Sequence, residues 1–335
     1  MNARIVAVDY ALPSSALTDE TLAEQHPEWN VARLSKSTGI QNRWVAGPDE
    51  FSSDLAVKAA LKLFARHSID PMRIDYLILC TQTPDFPLPT TACIVQAQIG
   101  LRQDVGAVDI TLGCSGYIYG LGLAKGLIES GQVQNVLIIT VDTMSKLANA
   151  NDKSTRPIFG DGAAATLVVG DSDHDGLTGF ALRTDGSGGQ HLVVPNGGLG
   201  DGNRFSAKSS PALRDLESNG FDLYMDGVEI FNFTLRVVPQ CVADVLAGAG
   251  LEQDEIDLFV FHQANGFLIE HLRKRLGIPV EKFVVAMADY GNTSSSSIPI
   301  ALVDAVEAGR VNSGDNVMLV GFGVGLSWGG VVVKW

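Results

Sequence analysis

Two parts of the sequence resemble each other and are separated by roughly 180 residues. Residues 73–83 align with residues 255–265, and two shorter matches follow in the same order, 129–131 with 307–309 and 135–137 with 316–318. Solenoid repeats are about 20 to 50 residues long, so this unit is too long for a solenoid. The pattern predicts an internal duplication in which two similar halves pack face to face.

Within the halves, short apolar runs alternate with segments of helical pattern. Residues 74–80, 105–112, 136–141 and 163–169 are typical of buried strands, whereas 92–100 and 115–130 are typical of helices. This alternation predicts an α/β fold with a mostly parallel, buried sheet. We expect an N-terminal half at residues 1–170 and a C-terminal half at 171–335, with the polar, glycine-rich residues 171–220 as connecting loops.

Composition and charge exclude several classes of protein. The formal net charge of −14 repels phosphodiester backbones, so nucleic-acid binding is not expected. The sequence has neither a run of about 18 apolar residues nor the pattern of a secretory signal, so we expect a soluble, cytoplasmic protein without a membrane span. Four scattered cysteines without C-x-x-C spacing predict neither disulfides nor a zinc site.

Cys114 differs from the other three cysteines in its surroundings. It follows an apolar run and precedes a segment rich in small residues, within the Gly-Cys-Ser-Gly motif at 113–116. A thiol at a helix N-terminus faces unpaired N–H groups and the positive end of the helix dipole, which favour the thiolate. Cys114 is therefore a candidate nucleophile, and the alternative is a buried, inert thiol. That inert state is our expectation for Cys80, Cys93 and Cys241.

Two further candidates, His262 and Asn292, also follow predicted strands. The duplication aligns His262 with the end of the strand at Cys80, and Asn292 with Cys114. Ligand sites in open α/β sheets collect at the carboxyl ends of strands, so these side chains could meet. Imidazole and amide N–H groups both suit a carbonyl oxygen that becomes negative. The alternatives are a structural histidine and a Gly-Asn turn followed by helix-capping serines.

Taken in order, several motifs resemble those of the thiolase-fold condensing enzymes, and most closely the β-ketoacyl-acyl-carrier-protein synthases of type III. The motifs span nearly the whole chain: 37–40 (STGI), 83–86 (TPDF), 113–116 (GCSG), 159–163 (FGDGA), 262–265 (HQAN), 290–294 (YGNTS) and the glycine-rich turn at 321–329. The resemblance implies a duplicated, five-layered αβαβα thiolase-like fold with mostly parallel or mixed sheets. It also implies a homodimer.

The resemblance further implies a Cys-His-Asn triad at Cys114, His262 and Asn292, and a ping-pong reaction. An acyl group from acyl-CoA or an acyl carrier protein would be transferred to Cys114, while the backbone N–H groups of Cys114 and Val324 hold the oxyanion. Malonyl-acyl-carrier-protein would then lose CO2 as His262 and Asn292 donate to its thioester carbonyl, and a β-ketoacyl thioester would form. No metal or other cofactor is expected.

An acyl pocket and a carrier surface are also implied by the resemblance. The pocket walls would be Leu88, Phe159, Gly227 and Phe231, with Leu88 closing the pocket of the partner subunit. Contacts with phosphate or with an acidic carrier protein would come from four cations: Lys153, Arg273, Lys274 and Arg275.

Three positions depart from the pattern of the family. Arg33 and Ser37 stand where related enzymes carry the Trp and Arg that hold the adenine of CoA, and Phe267 stands where a basic residue is usual. The CoA site is therefore expected to be weakened, and the primer could come from another carrier.

Alternative functions remain open from the sequence. An acyltransferase could pass the Cys114-bound acyl group to an amine or hydroxyl without condensation. A type III polyketide synthase shares the triad but usually has a longer chain, and a degradative thiolase needs a second cysteine in 321–329, which has none. In a different class, the chain could be a non-catalytic thiolase-fold partner subunit.

Overall fold

The computed structural model of the protein describes residues 1–174, 176–199 and 220–335. In chain order the strands of this part are β1 Asn2–Ala11, β2 Ser15–Thr18, β3 Asn42–Val45, β4 Tyr76–Cys80, β5 Gly106–Ile110, β6 Asn135–Asp142, β7 Gly162–Asp171, β8 Leu177–Thr184, β9 Leu192–Val193, β10 Tyr224–Met225, β11 Leu258–Phe261, β12 Asn316–Gly323 and β13 Ser327–Lys334. The α-helices of the same part are α1 Asp19–Gln25, α2 Val31–Thr38, α3 Ser52–His67, α4 Thr91–Gln98, α5 Gly116–Glu129, α6 Gly227–Ala249, α7 Gly266–Arg275 and α8 Ser297–Glu307. The strands and helices predicted in the first half are present, with boundaries shifted by one or two residues.

The two main sheets have the same strand order. The first sheet is β1-β7-β6-β4-β5, and the second is β8-β13-β12-β11. A single bridge between Phe259 and Phe283 lies where a fifth strand of the second sheet would be. Each strand of the second sheet thus has an equivalent in the first, and the predicted internal duplication is confirmed.

Both sheets are mixed, as the resemblance allowed, whereas the expectation of a mostly parallel sheet from the alternation of strands and helices alone is wrong. In the first sheet β4 is parallel to β5 and β6, but β7 is antiparallel to β6 and to β1. In the second sheet only the β11–β12 pair is parallel. A continuous apolar run indicates a strand that is buried on both faces, and it does not report the direction of the neighbouring strands.

Helices α5 and α8 lie between the two sheets and share one hydrophobic core with both. Ile118 of α5 and Leu302 of α8 belong to the same cluster as Ile138 of the first sheet and Leu319 of the second. Helices α3 and α4 pack on the outer face of the first sheet, and α6 and α7 on the outer face of the second. The layers are therefore αβαβα, as the resemblance implied.

The prediction of connecting loops at residues 171–220 is wrong in part. Residues 177–184 form β8, which pairs with β13, and β9 pairs with β10. Strand β8 lies at the edge of its sheet and contains Gly179 at a φ of 65°, so its sequence lacks a continuous apolar run. Residues 200–219 of this predicted loop lie outside the described residues.

One helix of the described part, α6, is long and apolar enough to cross a membrane by length and composition alone. Its buried residues, among them Phe233, Val237 and Val242, form a stripe that packs on the second sheet. Arg236 and Gln240 are exposed on the same helix. This division into an apolar stripe and a polar side is typical of a helix that covers a sheet.

Candidate active site

The candidate nucleophile Cys114 lies in the turn that joins β5 to α5. The N–H of Gly116 donates to the carbonyl of Gly113 at 2.7 Å and closes this turn. A Cβ at Gly116 would collide with Sγ of Cys80, and one at Gly113 would collide with the side chain of Gln82. Glycine is thus required on both sides of a thiol that is only 5% exposed. The predicted placement between a strand and a helix is confirmed.

Burial dominates the electrostatics of this thiol. It raises the pKa of Cys114 to about 11, and the nearby Asp142 carboxylate acts in the same direction. Hydrogen bonds from the backbone of Val324, from the backbone of Cys114 itself and from the Ser294 hydroxyl lower the pKa by less. Desolvation therefore outweighs the helix N-terminus, which we had expected to favour the thiolate. The free protein holds Cys114 as a thiol.

The other cysteines differ in exposure. Cys80 and Cys241 are buried, and burial raises the pKa of each thiol, as expected for inert cysteines. Cys93 is exposed, so the expectation that it is buried is wrong. It lies on the outward side of α4, whose buried face contains Ala92 and Val95.

The turn between β12 and β13 brings the backbone against the nucleophile. A Cβ at Gly323 would lie 2.7 Å from Sγ of Cys114, so only glycine permits this approach. The backbone N–H of Val324 points at the thiol and lowers its pKa. The hydroxyl of Ser327 donates to the carbonyl of Val324 at 2.7 Å and fixes the turn. Val324 therefore supplies a backbone donor where the resemblance implied one.

His262 follows β11 directly, and its N–H donates to the carbonyl of Val320 at 2.8 Å. The imidazole is buried and packs edge-on against Phe322, with 5.5 Å between ring centroids. Its Nδ1 lies 2.6 Å from Oγ of Ser297, which leaves Nε2 on the other side of the ring. Burial lowers the pKa of His262 to about 3, against a smaller opposing effect of a hydrogen bond with the backbone of Ser294. The ring is therefore neutral near pH 7.

The side-chain amide of Asn292 is held by its own loop. The N–H of Asn292 donates to the carbonyl of Ile158 at 2.8 Å, and the N–H of Gly160 donates to the carbonyl of Asn292 at 3.1 Å. Oδ1 accepts a hydrogen bond from the N–H of Ser294 at 2.9 Å. With Oδ1 engaged, Nδ2 is the atom that the amide can present to a ligand.

Cys114, His262 and Asn292 line one cavity of about 50 Å³. The apolar walls of this cavity include Ile158, Phe159, Leu192, Met225, Ile230 and Leu268. A thiol and two neutral donors thus meet in an apolar, nearly closed space, where electrostatic interactions are stronger than in water. The sequence-based expectation that these three side chains converge agrees with this geometry.

The predicted walls of the acyl pocket are found in different places. Phe159 lines the cavity, whereas Gly227 and Phe231 do not. Ile230 of α6, which is partly buried, lines the cavity instead, because Gly227 is exposed and Phe231 turns to stack on Phe267 at a centroid distance of 5.6 Å. Leu88 is 82% exposed and lies outside the cavity of its own chain.

The four cations that were predicted to contact the carrier differ in their exposure. The guanidinium of Arg273 donates to both carboxylate oxygens of Glu270 at 2.7 Å and to the carbonyl of Ile278, so it is engaged within the protein. The Lys274 side chain is 69% exposed, and Arg275 and Lys153 are exposed as well.

A groove of about 410 Å³ lies between α2 and α7. Its lining includes Ser37, Phe267 and Lys274, together with Lys36 and His271. Two of the three positions that depart from the family pattern, Ser37 and Phe267, therefore line the same groove.

Three polar residues of the site escaped the sequence-based analysis. Asp142 is fully buried at the end of β6, accepts hydrogen bonds from the N–H of Gln82 and the hydroxyl of Ser295, and has its pKa raised to about 6 by burial. Ser294 has a φ of 52°, which is rare outside glycine, and Ser297 contacts His262. The run of four serines at 294–297 could have indicated two of these residues, Ser294 and Ser297, but helix capping was the interpretation that we gave to it.

Comparison with known proteins identifies the relatives of this chain. Family models described as 3-oxoacyl-[acyl-carrier-protein] synthase III and its C-terminal part match residues 108–186 and 246–335. The β-ketoacyl-[acyl-carrier-protein] synthase III of Caldanaerobacter subterraneus subsp. tengcongensis is 38% identical over 99% of this chain and 98% of the relative. That of Roseiflexus castenholzii is 40% identical over the same shares of the two chains.

Solved structures of 3-oxoacyl-(acyl-carrier-protein) synthases are also similar to this chain. A crystal structure of a 3-oxoacyl-(acyl-carrier-protein) synthase III has a TM-score of 0.93 and 42% identity, and it covers 100% of both chains. The 3-oxoacyl-(acyl-carrier protein) synthase of Burkholderia xenovorans LB400 also has a TM-score of 0.93, with 36% identity over 99% of this chain and 94% of that one.

The duplicated five-layered fold, with a cysteine between strand and helix, defines the class of this protein as the thiolase-fold condensing enzymes. Within that class, the chain belongs to the β-ketoacyl-acyl-carrier-protein synthase III family.

Proposed function

We propose that this protein is a β-ketoacyl-acyl-carrier-protein synthase that joins an acyl group on Cys114 to the two-carbon unit of a malonyl thioester. One observation carries the proposal: a buried thiol shares a cavity with two neutral donors, His262 and Asn292. The opposite polar atom of each donor is already hydrogen-bonded, so Nε2 and Nδ2 are available to a substrate oxygen.

The first half-reaction transfers an acyl group to Cys114. Sγ attacks the carbonyl carbon of an acyl thioester, a new C–S bond forms, and the bond to the carrier sulfur breaks. The carrier leaves as a thiol and takes the proton that Cys114 loses. The backbone N–H groups of Val324 and Cys114 stabilise the oxyanion, which fits their orientation toward the thiol.

The second half-reaction removes CO2 from the malonyl group. The C–C bond to the carboxylate breaks, and its electron pair forms an enolate whose charge lies on the thioester oxygen. Nε2 of His262 and Nδ2 of Asn292 donate to that oxygen. Because the pKa of His262 is about 3, the neutral ring can hold its Nε2 proton and act as a donor throughout.

Condensation then completes the cycle. The enolate carbon attacks the acyl carbonyl on Cys114, a C–C bond forms, and the C–S bond breaks. The Cys114 thiolate takes up a proton, and the β-ketoacyl group stays on its carrier. Every step balances with protein groups, the two substrates and one proton from water, which the Cys114 thiolate takes up, so we propose that the enzyme uses no metal or redox cofactor.

We also propose that the enzyme is a homodimer. Strand β5 is the edge strand of the first sheet, and the unpaired N–H and C=O groups of such a strand can pair with another chain. The loop between β4 and α4 exposes Leu88 and Phe86, which are 82% and 54% exposed. Large exposed apolar side chains support contact with a second copy, in which Leu88 would reach the partner's cavity.

The carrier of the malonyl group is proposed to be an acyl carrier protein, which is acidic. Lys36 and Lys274 line the groove beside the cavity, and Lys153 and Arg275 are exposed cations of the described surface. Exposed cations suit an acidic carrier even though the chain as a whole has a net charge of −14.

Intact-protein mass spectrometry tests the first half-reaction. We expect a mass gain after incubation with a panel of acyl-CoAs and acyl carrier proteins, its loss in Cys114→Ala, and its retention in Cys93→Ala. No gain from any donor would refute the proposal.

Release of CO2 from malonyl-acyl-carrier-protein tests the second half-reaction. We expect release together with a β-ketoacyl product. Acylation of Cys114 without CO2 release would refute condensation and favour transfer to another acceptor.

A further inference from the structure

Ser297 is the first residue of α8, and its side chain lies against the ring of His262. Oγ of Ser297 is 2.6 Å from Nδ1 of His262, and Ser297 is only 3% exposed. The N–H of Gln263, the next residue along the chain, donates to the same Oγ at 3.3 Å. The hydroxyl therefore has two neighbours, one of which can only donate.

The Ser297 hydroxyl has a single proton, and these contacts determine which atom accepts it. Oγ already accepts from Gln263, so the remaining question is whether Oγ donates to Nδ1 or accepts from it. Among residues 1–174, 176–199 and 220–335, Nδ1 is the one acceptor recorded within hydrogen-bond distance of this hydroxyl. If Nδ1 carried the ring proton, Oγ would accept twice and its own proton would have no acceptor.

A buried donor without an acceptor loses the hydrogen bond that it made to water in the unfolded chain. The arrangement that satisfies every group has the Ser297 O–H donating to Nδ1. A neutral imidazole that accepts at Nδ1 carries its proton at Nε2. Burial keeps the ring neutral against the smaller opposing effect of a hydrogen bond with the backbone of Ser294, so one ring nitrogen carries a proton, and the contacts of Ser297 decide which one.

We propose that Ser297 is a positioning residue that fixes His262 in the tautomer with its proton on Nε2. In that tautomer Nε2 is a donor, as Nδ2 of Asn292 is, and both can hold the oxygen of a developing enolate. In the other tautomer Nε2 would carry a lone pair instead of a proton, and this lone pair would repel the enolate oxygen. This role of Ser297 rests on the proposed function, but the tautomer itself can be measured without any reaction.

Nuclear magnetic resonance of protein labelled with ¹⁵N at histidine tests the tautomer directly, with His262→Ala to assign the signals. We expect a protonated Nε2 and an unprotonated Nδ1 in the wild-type protein at pH 7. A protonated Nδ1 would overturn the proposal even if the enzyme condenses acyl groups normally. Conversely, a protonated Nε2 in a protein that releases no CO2 would refute the proposed function and leave the tautomer assignment intact.

Variants then test the consequence for the reaction. Ser297→Ala is expected to slow CO2 release roughly tenfold to a hundredfold, while acylation of Cys114 changes far less. Ser297→Thr keeps the hydroxyl and should restore most of the rate. Equal losses in both half-reactions, or no loss in Ser297→Ala, would overturn the positioning role.

Ser296→Ala is the matched control. Ser296 is as buried as Ser297, but its hydroxyl donates to the carbonyl of Gly162 and hydrogen-bonds with the hydroxyl of Thr140, away from His262. We expect Ser296→Ala to lower stability without changing the ratio of the two half-reaction rates. The same change of ratio in both variants would indicate a general loosening of the loop and overturn the proposal.

Discussion

The backbone of Gly323 lies closer to Cys114 than a side chain at position 323 would allow: a Cβ there would lie 2.7 Å from Sγ and 2.8 Å from Cβ of Cys114. Gly323 is the last residue of β12, which is paired along its length with β13. Because two paired strands fix its backbone, the thiol rather than the strand would have to move. The second half of the chain thus sets the position of a nucleophile that belongs to the first half.

Gly323→Ala is therefore expected to displace the thiol and lower the rate of Cys114 acylation by more than tenfold, since small misplacements of reacting atoms are costly. Intact-protein mass spectrometry over time measures this rate. Gly126→Ala in α5 is the control, because a Cβ there meets nothing within 4 Å and should stabilise the helix by up to about 1 kcal/mol. An unchanged acylation rate in Gly323→Ala would contradict the close approach.

Asn292→Asp replaces the Nδ2 donor by an acceptor and keeps the oxygen that binds Ser294. We expect CO2 release from malonyl-acyl-carrier-protein to fall roughly a hundredfold to a thousandfold, as for loss of an oxyanion donor. Asn265→Asp is the control: Asn265 lines the same cavity, and an aspartate still caps α7. If both variants lost the same activity, the added charge and not the lost donor would be responsible.

Asp142→Asn removes a buried carboxylate that raises the pKa of Cys114. The alkylation of Cys114 by iodoacetamide should therefore reach its half-maximal rate at a lower pH than in the wild type. The pH profile of alkylation, followed by mass spectrometry, measures this shift. Asp304→Asn serves as the control, since Asp304 contacts Tyr290 and not the thiol. A profile that stays in place, or moves to higher pH, would rule out the electrostatic effect.

His262 makes stability depend on pH. Its pKa is about 3 in the native protein and 6.5 ordinarily, so below pH 6.5 the unfolded chain binds a proton that the native state does not. The free energy of unfolding therefore falls as the pH falls. Between pH 7 and pH 5 we expect a loss of about 2 kcal/mol that is absent from His262→Gln.

Urea denaturation of both proteins at the two pH values measures this difference. His271→Gln, at an exposed position on α7, is the matched substitution and should keep the wild-type dependence of stability on pH. Parallel pH dependences for the wild type and His262→Gln would show that the pKa of the ring is the same in the native and the unfolded state, against the lowered value.

Leu88→Asp should weaken the proposed dimer, because it places a charge on a large apolar side chain that is 82% exposed. Analytical ultracentrifugation across a range of concentrations would show a larger monomer fraction. Val280→Asp introduces the same charge at another exposed apolar position, 67% exposed in the second half, and should leave the assembly unchanged. A wild-type chain that sediments as a monomer would end the dimer proposal.

The fold could be predicted from the sequence because burial on both faces leaves a strong apolar signal. Strand β6 is almost fully buried, and the apolar run at 136–141 predicts it. Strand β8 was missed, since it is an edge strand with a half-exposed face and an internal glycine. Sequence alone also could not distinguish parallel from antiparallel neighbours, because both bury the same side chains.

Within the site, Cys114, His262 and Asn292 could be found because each stands at a boundary between elements, in a distinctive motif. Asp142 could not, because it ends a strand like many aspartates and its burial depends on packing against the loop of Ser295. The high pKa of Cys114 could not be predicted either. The position of a thiol at a helix N-terminus can be recognised from neighbouring residues, whereas its desolvation depends on the packing of the whole fold.

The duplication gives each half the same pair of positions, one at the end of a strand and one at the first residue of a central helix. In the first half they are Cys80 and Gly116, where the sulfur occupies the space that a side chain at 116 would need. In the second half they are His262 and Ser297, where the helix residue supplies a hydroxyl to the ring. The two equivalent pairs therefore differ in their contacts: the Cys80 thiol packs against the helix at Gly116 and donates to the carbonyl of Leu112, whereas His262 is hydrogen-bonded to the helix residue Ser297, so neither pair could now replace the other.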